Sequence, residues 1–179
     1  MERVTCSLVF LTQADWVYLA IGKKGRSKGF FNGYGGKQEM GETIVESAVR
    51  ELSEPEEAGG IGVGAADLQK VCVLIFHSSG EIEGISRPDA RTLELHVYVA
   101  TRWKGEPKES EAFNAPRRFN KSALPIEQML PDNKFWFERA LSDDTPFTGE
   151  IWYATLEGRS IPTKVVIHDK PDQSLLDTP

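Results

Sequence analysis

Cysteine and histidine are scarce in this chain, two and three among 179 residues. A disulfide framework or a thiolate zinc site needs more cysteines at closer spacing. Cys6 and Cys72, each inside a strand-like apolar run, therefore read as reduced core thiols. Long apolar runs are missing as well: none approaches the roughly 20 residues of a membrane span. The N-terminus lacks a basic segment followed by an apolar core. The expected setting is cytoplasmic, with no membrane partner. Nor is there an excess of positive charge. A net charge of −6 argues against a broad footprint for nucleic acid. A ligand rich in phosphate would have to meet locally concentrated lysines and arginines, or recruited cations.

What is present is ordinary globular material, 40% apolar and 27% charged. The length favours one domain with a sizeable core, over residues 1–168, followed by a mobile tail over 169–179 with little to bury. Val4–Leu11 and Trp16–Ile21 read as two strands joined by a polar turn, and 22–36 as a loop rich in Gly, Lys and Arg. Thr43 is placed to cap a helix, with Glu46 three residues later completing a capping box. Ile44, Val45, Ala48, Val49 and Leu52 supply its apolar stripe, and Pro55 stops it. Val71–Phe76 and Leu93–Ala100 read as strands of a hairpin with a long loop over Ser78–Ala90. Leu93, Leu95, Val97 and Val99 fall on one face. Helical spacing returns at Asp132–Leu141, and Glu150–Leu156 with Lys164–His168 read as a closing hairpin around Gly158-Arg159. This order predicts an α+β fold with a mixed sheet. His77, His96 and His168 sit within or at the ends of strand-like runs and receive no role.

The chemistry concentrates in one segment. Gly36 is followed after five residues by Glu42, and after seven more by Arg50-Glu51-Leu52; Glu54, Glu56, Glu57 and Gly59 come next. So many carboxylates beside a helix start point to a hydrated divalent cation. Mg²⁺ prefers oxygen donors and usually binds through one or two carboxylates plus substrate phosphates. That chemistry suits hydrolysis of a phosphate anhydride.

Gly36 to Leu52 resembles the first two-thirds of a Nudix box, matching it at every defining position. Asn32-Gly33-Tyr34-Gly35-Gly36-Lys37, the segment Leu130 to Phe137, and Phe147-Thr148-Gly149 are similar to the oxidised-purine nucleoside triphosphatase branch. The resemblance spans about residues 4 to 168. It implies an αβα sandwich around a mixed β-sheet and Mg²⁺-dependent cleavage of a nucleoside diphosphate linked to a further group, with Mn²⁺ as a possible substitute. On the branch it implies hydrolysis of oxidised or modified purine nucleoside triphosphates to monophosphate and pyrophosphate, which sanitises the nucleotide pool. A small nucleotide is the expected partner, no stable nucleic-acid partner is expected, and the chain is expected to be monomeric. The alternatives are another Nudix substrate (a dinucleoside polyphosphate, ADP-ribose or an RNA cap) or a nucleotide-binding module with a weakened box.

Carried over by resemblance, Glu51 is the firmest metal ligand, Arg50 orients a neighbouring carboxylate through a forked pair, Gly36 offers its carbonyl to metal, and Glu42 braces the loop. The family continues with carboxylates three and four residues after its Arg-Glu-Leu glutamate. Here Glu54 takes the first place, Pro55 the second, and Glu56-Glu57 arrive two residues late. Either Glu51 and Glu54 serve while a kink swings Glu57 inward, or Ser53 to Pro55 bulge out and restore Glu56 and Glu57. Glu111 is chosen over Glu109 for the further loop carboxylate that the family often has, a surface position being the plainer reading of both. Lys23, Lys24, Arg26 and Lys28 form a basic loop that could draw in a triphosphate, Lys23 being the chosen contact. Asn32 matches a base-contacting asparagine or is a turn residue before Gly33. Asp132 and Asn133 match an acidic base-reading pair in which the second member is now an amide, or they cap a helix. Trp136 belongs to the same segment, as substrate contact or as core. Leu130 replaces an aromatic that would pack on the base.

Overall fold

Alternation of apolar residues along strand β1 (Arg3–Gln13) decides which way the sheet faces. Leu8 and Phe10 point into one apolar cluster, Val9 and Leu11 into another on the opposite side. A computed structural model describes residues 3–78, 81–82, 85–86, 92–142, 145–156 and 159–178. Strands β2 (Trp16–Ile21), β3 (Phe31–Asn32), β4 (Leu68–Ser78), β7 (Thr92–Ala100), β9 (Phe147–Leu156) and β10 (Arg159–His168) join β1 in the order β10-β9-β4-β7-β1-β2-β3. Strand β8 (Arg117–Asn120) also pairs with β2, and β5 (Glu81–Ile82) pairs with β6 (Ile85–Ser86). Strands β1 and β7 run parallel, as do β4 and β9; the other pairings are antiparallel, so the sheet is mixed.

Helix α1 (Ile44–Ser53) covers one face, where Ala48 and Leu52 pack with Val9, Leu11 and Tyr98. On the other face Trp136 and the first residue of α2 (Phe137–Ser142) pack with Phe10, Leu74 and Val97. Burial of each such large side chain contributes about 1.5–3 kcal/mol, so the two helical layers and the sheet hold one another.

The ends of α1 follow from its sequence. Thr43 Oγ1 accepts from the Glu46 amide at 3.2 Å, and Glu46 Oε2 accepts from the Thr43 amide at 2.7 Å, closing the expected capping box. At the other end Pro55 disfavours helical geometry at Glu54, which lies extended at φ −70°, ψ 121°.

The β1–β2 and β4–β7 hairpins match the sequence reading, and Leu93, Leu95, Val97 and Val99 do share one face. Much of the long β4–β7 connection and the expected turn around Gly158 lie outside the described residues. Three segments differ from expectation. The loop over 22–36 contains β3, and its Tyr34 pairs with Val9 of β1, because the chain must run along the sheet edge to reach α1. Strand β8 carries no strong alternation and was not anticipated. In the segment 169–178, expected as a tail, Asp172 caps helix α3 (Gln173–Leu176), and the Lys70 ammonium donates to the Leu176 and Thr178 carbonyls at 2.9 and 2.6 Å. Two charge-assisted hydrogen bonds replace the apolar burial that the segment lacks.

Candidate active site

A cleft of about 830 Å³ opens on the face that carries Trp136. Its floor is apolar, formed by Leu8, Phe76, Leu93 and Leu95, and its two ends differ in chemistry.

One end is acidic. Gly36, at the close of the chain segment that bridges to β1, faces Glu51 of α1 so tightly that a β-carbon would collide with the Glu51 carboxylate. Burial pushes the Glu51 carboxyl above its ordinary value, against the pull of Arg50; Glu57 and Glu54 add to the rise. Arg50 is the hub. It grips Glu42 with two hydrogen bonds (3.0 and 2.8 Å) and donates to Glu51 at 3.1 Å, to Glu54 at 3.3 Å and to the Lys37 carbonyl at 3.0 Å. Glu42 in turn accepts from the Glu39 amide at 2.8 Å, so it braces the loop as expected.

Downstream of α1 the structure distinguishes the late glutamates. With Glu54 extended, the amides of Glu57 and Ala58 both donate to the Glu54 carbonyl, at 3.2 and 3.1 Å. That turn brings Glu57 back to the cleft wall, where it pairs with Lys24 at 2.6 Å. Glu54 stays outside the lining, held by Arg50, and Glu56 is exposed on the outer side of the turn. The chain kinks after Glu54 and brings Glu57 inward, while Glu54, expected as a ligand in that arrangement, does not line the cleft.

Three further expectations shift. Lys23 is occupied by Glu109 at 2.6 Å and the Ser110 carbonyl at 2.8 Å, and Lys24 lines the cleft instead. Glu111 is exposed, while its neighbours Ala112 and Phe113 form the wall. The Gly36 carbonyl accepts from the Ser7 amide at 2.9 Å, which leaves one lone pair, so the clearer role of Gly36 is to leave space for Glu51.

Among the described residues no three His, Cys, Asp or Glu side chains are gathered closely enough to cage an ion. The donor set nevertheless fits a hydrated Mg²⁺, which needs only one or two carboxylates besides water and phosphate. Glu51 and Glu57 line the same wall, and the Glu51 carboxyl is buried there beside Arg50.

The other end is lined by amide and aromatic side chains. Asn32, Leu130, Asn133 and Trp136 line it. Asn32 Oδ1 accepts from the Gly33 amide at 3.0 Å, so the asparagine makes the local turn contact and still presents its amide nitrogen. Asn133 and Trp136 are buried, and Trp136 spends its indole N–H on Asp132 Oδ2 at 2.8 Å. Asp132 also accepts from the Tyr153 hydroxyl and is paired with Arg26 at 3.5 Å. Arg26 and Tyr153 did not stand out in the sequence as part of this end. Arg26 was visible only as one of four loop cations, and Tyr153 lies on a strand with no local motif.

No family model matches the chain. A curated relative, the oxidized purine nucleoside triphosphate hydrolase of Danio rerio, is 34% identical over 131 residues, 73% of this chain and 75% of the relative. The chain belongs to this Nudix hydrolase family. The Nudix fold is matched by the mMutator MutT protein of Bacillus halodurans (TM-score 0.72, 22% identity, 94% of this chain and 99% of that one). It is matched also by a MutT NUDIX hydrolase of Burkholderia pseudomallei (TM-score 0.61, 19% identity, 80% and 100%). As a Nudix enzyme the protein is a pyrophosphohydrolase of small nucleotides, with box glutamates at one end of its cleft and Asn32, Asn133 and Trp136 at the other.

Proposed function

We propose that this Nudix hydrolase cleaves oxidised or modified purine nucleoside triphosphates to the monophosphate and pyrophosphate, removing damaged precursors from the nucleotide pool. The observation that carries the reading is the continuous cleft, which joins the Glu51–Glu57 wall to the Asn32–Asn133 end within a volume suited to one nucleotide. Phosphates would lie at the acidic end and the base at the other.

Mg²⁺, with Mn²⁺ as a substitute, would be held by Glu51 and Glu57, with Glu54 close behind. When bound it neutralises phosphate oxygens and makes phosphorus open to attack. The protein's own groups do the positioning. Arg50 fixes the carboxylates of Glu42, Glu51 and Glu54, and Gly36 lets the Glu51 head approach the loop backbone. Lys24, which pairs with Glu57 on the cleft wall, stands where its ammonium could meet phosphate oxygens. Water adds to one phosphorus as the anhydride bond breaks. No helix among the described residues is long and apolar enough to cross a membrane. A cytoplasmic, monomeric enzyme is part of the proposal on the sequence reading alone.

The test is product analysis with Mg²⁺, reading pyrophosphate and monophosphate from 8-oxo-dGTP, dGTP and dCTP, and the nucleotide or phosphate-ended fragments from ADP-ribose, a dinucleoside polyphosphate and a capped RNA end. Oxidised purine triphosphates should lead, and Glu51→Gln should lower their turnover by at least about 10²-fold with melting unchanged. Turnover confined to the last three substrates would replace the proposal, and a fully active Glu51→Gln enzyme would remove Glu51 from the metal site.

A further inference from the structure

Asp132 is matched by position to a base-reading carboxylate, yet its surroundings leave it little to read with. It is 1% exposed, and Trp136 Nε1, the Tyr153 hydroxyl and the Arg26 guanidinium all converge on its two oxygens. A carboxylate so occupied is an anchor. The group it anchors is Arg26, whose guanidinium also lies over the Phe76 ring at 4.8 Å and the Tyr153 ring at 4.6 Å. Cation–π contact and the ion pair together fix the plane of the fork. Arg26 lines the cleft and its side chain remains 44% exposed. Of the five N–H donors of a guanidinium, the contact with Asp132 engages one nitrogen, Nη2. A further donor is shared with the Tyr153 hydroxyl, and the rest of the half-exposed fork gives this end of the cleft a hydrogen-bond-donating character.

We propose that Arg26 is a specificity-determining residue that selects purines bearing a carbonyl at C6 over purines bearing an amino group there. The inference rests on the reading of the cleft as a purine nucleotide site. Guanine offers acceptors at O6 and N7, whereas adenine keeps the N7 acceptor but offers a donor at N6. A donor fork facing the C6 edge therefore pairs with the first and meets an opposed donor at C6 in the second. Unpaired polar groups in a closed site cost more than a matched pair returns, which is how such sites reject the wrong partner. Oxidation at C8 leaves the C6 carbonyl in place but puts a proton on N7, so 8-oxoguanine keeps O6 as its acceptor for Arg26, and purines with an amino group at C6 lack it. Asp132, saturated by its three donors, is not available to change partners and restore adenine binding.

The experiment compares dIMP with dAMP, whose bases differ at C6 and in the attendant N1 proton, by equilibrium calorimetry on wild type, Arg26→Ala and Arg26→Lys. Wild type should bind dIMP at least about tenfold more tightly, within the range that a good bidentate pair discriminates. Arg26→Ala should lose that preference through weaker dIMP binding, with dAMP within about twofold of wild type. Arg26→Lys, which keeps the charge without the planar fork, should fall between them. Equal losses for both nucleotides would mean that Arg26 only supports the pocket, and an unchanged ratio or no preference in wild type would overturn the proposal. The readout needs no turnover. Failure to release pyrophosphate from any purine triphosphate would count against the proposed hydrolysis and leave the binding ratio readable.

Discussion

Replacing Gly36 by alanine adds one carbon where the structure has no room for it. The new β-carbon would stand 2.5 Å from the carboxyl carbon of Glu51 and 2.7 Å from Oε2, and closer still to Oε1. Ordinary contact begins near 3.4 Å, so the nearest carboxylate oxygen would have to retreat by more than 1 Å and loosen the 3.1 Å bond with Arg50. A displacement of that size in positioned chemistry costs roughly 10²-fold in rate, which corresponds to about 2.7 kcal/mol of barrier. Overpacking would also lower stability by about 1–3 kcal/mol. The assay is kcat/KM with Mg²⁺ on the best triphosphate, together with urea unfolding. A double-mutant cycle isolates the cause: in a Glu51→Ala background the collision partner is gone, and Gly36→Ala should cost little further stability. Two results would refute the reasoning, a folded Gly36→Ala enzyme with near wild-type kcat/KM, or the same stability loss in both backgrounds.

Glu57→Gln should reduce turnover by at least the roughly tenfold that loss of a supporting metal-site group costs, whereas Glu56→Gln, on the exposed side of the turn, should stay within about twofold of wild type; kcat/KM at fixed Mg²⁺ decides, and the reverse ranking would restore the bulged arrangement. Glu42 gives a pH test. The paired N–H donors of Arg50 hold its carboxyl down to about 2 from an ordinary 4.5, so its stabilisation is complete above pH 4.5 and is lost as pH falls through 2. In unfolding titrations the stability gap between wild type and Glu42→Gln should be full at pH 7 and narrow steadily below pH 4.5. A gap independent of pH would assign the difference to packing.

Local chemistry made much of this protein legible before folding. The Thr43–Glu46 capping box, the apolar stripe of α1 and the stop at Pro55 depend on residues a few positions apart, and backbone sterics fix them. Strand alternation likewise placed Leu93, Leu95, Val97 and Val99 on one face. The spacing from Gly36 to Glu51 carried the family because it encodes one loop and one helix face. The choice among Glu54, Glu56 and Glu57 was different. It depends on how the turn after Glu54 closes against the loop that carries Lys24, and sequence spacing leaves that direction open. The exchange of Lys23 for Lys24 is of the same kind, settled by Glu109, 86 residues away. Asp132 shows the limit most clearly: its motif marked a base reader, but Tyr153 of β9 and Arg26 of the basic loop reach it only when the sheet brings them together. The sequence determined which elements form and which chemistry they carry, because those depend on short-range sterics and periodicity. The tertiary structure alone decided which charged groups neutralise one another and which remain facing the cleft, because desolvation and pairing depend on neighbours distant along the chain.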